Sequence, residues 1–334
     1  MTLLTRASPQ TLRLMALGLA LLATVLFFAT QIEGYLSPRM FTRISTSAAV
    51  VLPIAVGQAI VIMTRNIDLS AGSIMGVVAY MAGQTLSAMP DLHPALAVLL
   101  CMAIGAGFGA INGLLIAWGR VPSIIVTLGT LALFRSFLVE WSDAKTITTA
   151  SLPQWLVDLP SANAFSIGGL DIRVTVVLAL AAVLVTGLAL TFYRPARRFY
   201  AVGSNPDAAV MAGINARRVV LSAFIISGAF AGLSGFLFLA KFGNITVVAG
   251  LGFELKAIAA VVVGGVSIMG GSGSMIGVLM GALLVDTIDN SLTRWAVVSE
   301  FWRDALLGGL IMAAVTLDTL ASRQLTKLRK GGTQ

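Results

Sequence analysis

The feature that most restricts this chain is a recurrence of apolar stretches, each about as long as a lipid bilayer is thick. They cover residues 14–32, 44–64, 71–89, 94–117, 122–140, 174–193, 219–240, 251–268, 274–292 and 303–320. A helix needs about 20 apolar residues to cross the hydrocarbon core. Two stretches are weaker: the fifth contains Arg135, and the tenth opens on Arg303 and Asp304. The pattern predicts an all-α polytopic membrane protein with about ten transmembrane helices, forming a single transmembrane domain over residues 1–334. Composition agrees. Charged residues make up 11% and apolar ones 57%, with a mean hydropathy of +0.94. A soluble domain carries about a quarter charged residues, so too little polar surface exists here to wrap a soluble globule.

Several functions are excluded at once. The net charge of +8 would suggest nucleic acid in a soluble chain. In a membrane chain, basic residues gather at the cytoplasmic ends of spans, so no nucleic-acid partner is expected. Cys101 is the single cysteine and His93 the single histidine, which leaves no disulfide framework and no Cys/His metal site. No cofactor is expected. There is no G-x-x-x-x-G-K-[ST] loop, no H-E-x-x-H and no G-x-S-x-G elbow with a usable histidine. The glycine run Val261–Gly277, "VVVGGVSIMGGSGSMIG", places Ser274, not lysine, after Gly273. The chain therefore reads as no enzyme and as having no ATPase site of its own.

Sidedness follows from the basic residues. Arg6 and Arg13 precede the first apolar run, which is long for a signal peptide and reads as a retained first span with a cytoplasmic N-terminus. Ten spans return the C-terminus to the cytoplasm. In that arrangement thirteen Lys and Arg fall inside and seven outside, with Arg135 and Lys256 left within spans. Two polar segments are long: an outer loop over 141–172 and an inner loop over 194–218.

Two kinds of interruption stand out. "TRNIDLSAGSIMGVV", residues 64–78, sets Arg65, Asp68 and serines between apolar runs. Asp68, Ser70 and Ser73 are placed to cap the third span, since Asp and Ser oxygens accept orphan N–H bonds. An ordinary capped turn at the interface accounts for these residues; so does a packed break beside a path or gate. "GSIMGV" at Gly72–Val77 is echoed by "GSMIGV" at Gly273–Val278. The echo suggests a duplicated broken-helix unit, such as transporters place along their paths. Gly105, Gly109 and Gly113 recur at spacing four and predict a close helix–helix approach. Asn112 in the same run either bonds across helices or faces a path.

The inner loop has a shape of its own. Gly203-Ser204-Asn205-Pro206 reads as a turn, with Asn205 as cap and Pro206 as first helical residue. A short helix over Asp207–Ala212 would stop at Gly213. Arginines that merely follow the positive-inside rule explain part of this loop. A coupling helix fitted to a groove on a soluble partner explains the rest. Charges within or near spans (Glu254, Lys256, Asp286, Asp289) sit mostly near span ends. That counts against a proton-coupled secondary sugar carrier, the alternative reading, which would keep a carboxylate at mid-membrane.

Four segments now carry a resemblance. "TRNIDLSAGSIMG", "INGLLIAWGRVPSIIVTLGTLALFRS", "RRFYAVGSNPDAAVMAGI" and "GFELKAIAAVVVGGVSIMGGSGSMIG" resemble the signature segments of bacterial ABC-importer permeases of the ribose-type monosaccharide family, collinearly over essentially the whole chain. The resemblance implies a multi-pass permease domain in the cytoplasmic (inner) membrane, working as a dimer with a second copy or a paralogue. Its implied partners are a cytosolic ABC ATPase, which binds the ATP, and a periplasmic sugar-binding protein. By the same resemblance, Gly203, Asn205, Ala208, Ala209, Gly213 and Ile214 would dock the ATPase. Asn66, Asp68, Ser70, Gly72, Ser73 and Asn112, with Gly264, Gly265, Gly270, Gly271 and Gly273, would line or gate the path. The expected solute is a monosaccharide, rhamnose first, with ribose, xylose, arabinose and autoinducer-2 as alternatives.

Overall fold

The structure is a computed structural model describing residues 9–295 and eight isolated positions between 302 and 316. In chain order its helices are α1 (Pro9–Gln31), α2 (Pro38–Met63), α3 (Ala71–Ala88), α4 (Pro94–Ala117), α5 (Ser123–Ser142), α6 (Gln154–Asp158), α7 (Val174–Phe192), α8 (Arg198–Ser204), α9 (Pro206–Met211), α10 (Ala216–Phe242), α11 (Phe253–Val263) and α12 (Met275–Arg294). Seven of them, α1, α2, α4, α5, α7, α10 and α12, are long and apolar enough to cross a membrane. The expected tenth span, 303–320, and both chain termini lie outside the described residues, the isolated positions apart. Below, the inner end of the bundle is the end the basic residues assign to the cytoplasm.

α2 is the axis of the bundle. It is buried continuously from Ala48 to Met63, which a span can be only if other helices surround it. Pro53 interrupts its ladder, and the Ile54 N–H next to it donates to Ser234 Oγ of α10 at 3.0 Å. A freed backbone donor in a membrane bundle must find such a partner. α4 lies antiparallel against α10, and the glycine stripe is the reason it fits. A Cβ on Gly105 would meet the Gly228 carbonyl, and one on Gly109 the Phe224 carbonyl. Leu96, Leu99, Leu133 and Leu184 point outward from α4, α5 and α7, as lipid-facing side chains do. α1 joins the periphery through Phe28, Ile32 and Tyr35 against Leu292 of α12.

One expected span is corrected. The third, 71–89, stands as α3, of 18 residues, and the chain enters it from within the bundle. The eighth, 251–268, is only the 11-residue α11. At 1.5 Å per residue that is roughly 16 Å, half of a hydrocarbon core about 30 Å thick. The chain leaves helical geometry at Gly250 and Gly252 before α11 and at Gly265 after it, all with positive φ. Hydropathy summed along the chain treats this glycine-punctuated run as one span despite Glu254 and Lys256. The outer loop supplies the only β-ladder among the described residues. β1 (Asn163–Ile167) pairs antiparallel with β2 (Leu170–Arg173). The turn Gly168-Gly169 has φ +57° and +82°, as the tight hairpin turn with two left-handed residues requires.

Candidate functional site

Three segments singled out in the sequence meet at the inner end. α2 ends at Met63, and Arg65 follows in the left-handed region, φ +64°. Its guanidinium Nε donates to the Gly203 carbonyl at 2.5 Å and its Nη2 to the Ser204 carbonyl at 2.6 Å. The Gly271 N–H donates to the Met63 carbonyl at 3.0 Å. Tyr200 Oη donates to the Gly273 carbonyl at 3.1 Å, and burial raises this phenol above its ordinary value, so it remains a donor. The break after α2, the helix α8 and the glycine-rich segment 264–274 therefore form one joint. Gly203 is buried in it: a Cβ there would collide with the Met63 carbonyl oxygen. The expected turn at Gly203-Ser204 is corrected to the C-terminal end of α8, because these two residues are needed as acceptors for Arg65.

Outside the joint, α9 has the expected form. Asn205 Oδ1 accepts from the Ala208 N–H at 3.0 Å, Pro206 takes the first position, and Gly213 has φ +77° with open space around it. Asn205, Ala208 and Gly213 are exposed, Ile214 is half-buried, and Ala209 faces inward. Sequence reasoning passed over Val210 and Met211. Met211 is 90% exposed and makes an apolar tip on a polar loop. The signal was present in "AAVMAG", an apolar pair with no span to join.

Above the joint the break turns back into the bundle. Asp68 is fully buried at the level of Gln58, five residues before the end of α2. Asp68 Oδ1 accepts from the Ser70 N–H at 3.0 Å and Ser70 Oγ at 2.7 Å. Ser227 Oγ donates to Asp68 Oδ2 at 3.4 Å. The Gln58 amide, oriented to satisfy both groups, donates to the Asp68 carbonyl at 3.1 Å and accepts from the Asp68 N–H at 3.2 Å. Asn112 Nδ2 donates to Ser70 Oγ at 2.7 Å. The expected cap is thus corrected. Asp68 bonds Ser70 itself rather than the first helical N–H groups of α3, and Ser73 Oγ donates to the Ser70 carbonyl at 2.7 Å. Four helices, α2, α3, α4 and α10, are tied at one buried knot, which sets where α3 begins. Asn66 lies below it, with Nδ2 donating to the Thr64 carbonyl at 2.9 Å.

The outer side has a matching re-entry. Residues 243–252 descend against α3 and lead into α11. Arg135 Nη1 donates to the Val247 and Ala249 carbonyls at 2.9 and 2.6 Å. Gly72 and Gly76 of α3 make room for the Gly250 and Ala249 carbonyls. Arg135, a weakness in the fifth expected span, holds this descending backbone. Gly264, Gly265, Gly271 and Gly273 border an inner-end cavity of about 520 Å³, while Gly270 packs against Arg65. A larger cavity of about 790 Å³ opens at the outer ends of α2, α10, α11 and α12; Lys256, Asp286 and Asp289 line it, and none of the expected path or gate residues does. No cluster of three or more His, Cys, Asp or Glu able to hold a metal occurs among the described residues.

The comparisons with known proteins follow this geometry. Residues 40–315 match the family described as branched-chain amino acid transport system / permease component. Among curated relatives, the "Autoinducer 2 import system permease protein LsrC" of Escherichia coli O9:H4 (strain HS) is 36% identical over 302 residues, 90% of this chain and 85% of the relative. The proteins of that name from Yersinia enterocolitica and Salmonella typhi are each 36% identical, covering 90% of this chain and 82% and 84% of theirs. No solved structure matches.

Proposed function

The chain belongs to the family of branched-chain amino acid transport system permease components, as a ribose-type ABC-importer permease, and from that premise we propose how it works. It is a multi-pass subunit of the bacterial inner membrane. A cytosolic ATPase binds and hydrolyses the ATP, a periplasmic binding protein delivers the solute, and two permease copies or paralogues assemble around the path. The proton-coupled carrier has no support from this family.

The observation that carries the proposal is the inner joint. The exposed tip of α9, Val210 and Met211, is the part a soluble partner can reach. It is continuous with α8, which Arg65 ties to the end of α2. Three and five residues after Arg65, the chain enters the buried knot at Asp68 and Ser70. A push or pull on α9 therefore acts on the start of α3 through one short, hydrogen-bonded segment. Closely packed elements that hold two discrete arrangements transmit such displacements.

The solute is small, polar and of monosaccharide size. The names of the relatives move autoinducer-2 ahead of rhamnose in the order of testing, with ribose, xylose and arabinose after them. The deciding experiment is uptake into vesicles containing this chain, with the candidate ATPase, the binding protein and ATP each added or omitted. Uptake that requires all of them supports the proposal. Uptake by this chain alone under a proton gradient overturns it.

A further inference from the structure

Two cavities meet where α7 and α12 reach the inner end of the bundle. The first is a groove of about 780 Å³ along these two helices. Leu184 and Leu188 of α7 and Ile276 and Leu279 of α12 line its length. Phe165 and Ile172 of the hairpin border its outer end, and Thr191, Tyr200 and Ser274 its inner end. Gly187 keeps it open: a Cβ there would already touch the Met275 side chain at 3.5 Å. The second is the inner-end cavity of about 520 Å³, lined by Arg13, Tyr200 and the glycine-rich segment. Tyr200, Gly273 and Ser274 line both. An apolar slot at membrane depth therefore opens into a polar chamber at the cytoplasmic end.

The charge at that end has one sign. No acidic residue lines either cavity. Arg13 enters the chamber beside Gly265. Arg197 stands at the inner mouth of the groove, its Nε and Nη2 donating to the Thr191 carbonyl. A guanidinium carries five N–H donors, so Nη1 remains for a second acceptor. No carboxylate pairs with Arg197 among the described residues. Ser272 and Ser274 add hydroxyl donors to the chamber.

The combination selects the occupant. From Leu180 to Thr191, α7 rises roughly 16 Å, about one leaflet of a hydrocarbon core about 30 Å thick. A leucine- and isoleucine-lined groove of that height suits an acyl chain. Cationic and hydroxyl donors without a carboxylate suit an anion, and basic pockets between spans on the cytoplasmic side hold anionic headgroups. A helix of a second copy would cover the groove and bring no anion to the arginines. A free phosphate would use the chamber and leave the groove unfilled.

We propose that this slot binds one anionic phospholipid of the inner leaflet, its acyl chain along α7 and α12 and its headgroup held by Arg13 in the chamber and Arg197 at the groove's mouth. The site is separate from the solute path and from the docking tip of α9. It shares a wall with the inner joint, because Gly273 accepts from Tyr200 and Gly271 donates to Met63. The lipid therefore braces the joint from its membrane side.

The test uses the purified full chain in neutral detergent, titrated with phosphatidylglycerol, with phosphatidylcholine of the same acyl chains, and with glycerol 3-phosphate as a headgroup without chains. Native mass spectrometry counts the lipid retained, and the melting temperature is followed in parallel. One phosphatidylglycerol per chain is expected, bound roughly tenfold or more tighter than phosphatidylcholine and raising the melting temperature; glycerol 3-phosphate does neither. Arg13→Gln weakens phosphatidylglycerol binding about fivefold, and Arg13→Lys retains most of it. Gly187→Leu keeps both arginines, fills the groove and weakens both lipids. Equal affinity for the two lipids overturns the proposal, as does glycerol 3-phosphate binding as tightly as phosphatidylglycerol. Wild-type affinity in Arg13→Gln or in Gly187→Leu overturns it too. So does a disulfide between copies through Leu184→Cys, which would place a second copy in the groove. Should a variant fold poorly, the comparison of the three probes on the wild-type chain still decides.

Discussion

Arg65 is the residue at which the proposed coupling can be measured most directly. Its side chain makes two bonds, to the buried Gly203 carbonyl and the exposed Ser204 carbonyl, at 2.5 and 2.6 Å. A hydrogen bond involving a charged group contributes about 1.5–3 kcal/mol. One of the two faces water, where the contribution falls toward or below the lower figure, so the clamp as a whole is worth roughly 2–3 kcal/mol. Arg65 also holds φ +64°, which strains a non-glycine residue by about 1–2 kcal/mol. Two substitutions therefore separate. Arg65→Met loses the clamp and keeps the strain. Arg65→Gly loses the clamp and relieves the strain, and so should be the more stable of the two by about 1 kcal/mol. If the clamp transmits movement between α8 and α2, a loss of 2–3 kcal/mol lowers the coupled population by roughly 30–150-fold at about 1.4 kcal/mol per factor of ten. Uptake should fall by up to that factor in both variants, while ATP hydrolysis by the complex persists. The assay is uptake and hydrolysis side by side in reconstituted vesicles, with melting temperatures of both variants. Wild-type uptake in Arg65→Met refutes the transmission argument. Equal stability of the two variants refutes the strain argument.

Three further outcomes are expected. Asp68→Ala leaves the Ser70 N–H and the Ser70 and Ser227 hydroxyls without their buried acceptor; at about 1–3 kcal/mol per orphaned group it should lower the melting temperature and membrane yield, whereas Asp68→Asn, keeping one carbonyl acceptor, should be milder. Gly109→Ala drives a Cβ onto the Phe224 backbone and should destabilise by about 1–3 kcal/mol through overpacking; Gly107→Ala in the same helix, with open space around it, should be neutral in the same thermal assay. Gly213→Val forces a β-branched residue to φ +77° at a site without steric obstruction, so membrane insertion should be normal and ATP-driven uptake lost, while Gly213→Asn, which tolerates the left-handed region, should transport.

The residues by themselves determined a good deal. Apolar runs of bilayer length fixed a helical membrane protein, because lipid leaves backbone groups no partner but their own helix. The stripe Gly105, Gly109, Gly113 declared a close helix contact, and Asn205-Pro206 with Gly213 declared the short helix α9, because capping and left-handed turns are local chemistry. The family signature was legible for the same reason: it is a set of short segments. Tertiary structure decided the rest. That Arg65 reaches Gly203 and Ser204 depends on two segments 138 and 139 residues apart. That the run at 251–268 makes only a half-length helix depends on Arg135 drawing the preceding backbone into the bundle. The charges at Lys256, Asp286 and Asp289 looked like span ends in the sequence, and Lys241 follows the end of the run 219–240. They line one cavity because α10, α11 and α12 bring their ends together, and hydropathy, which sums along the chain, carries no information about which ends meet.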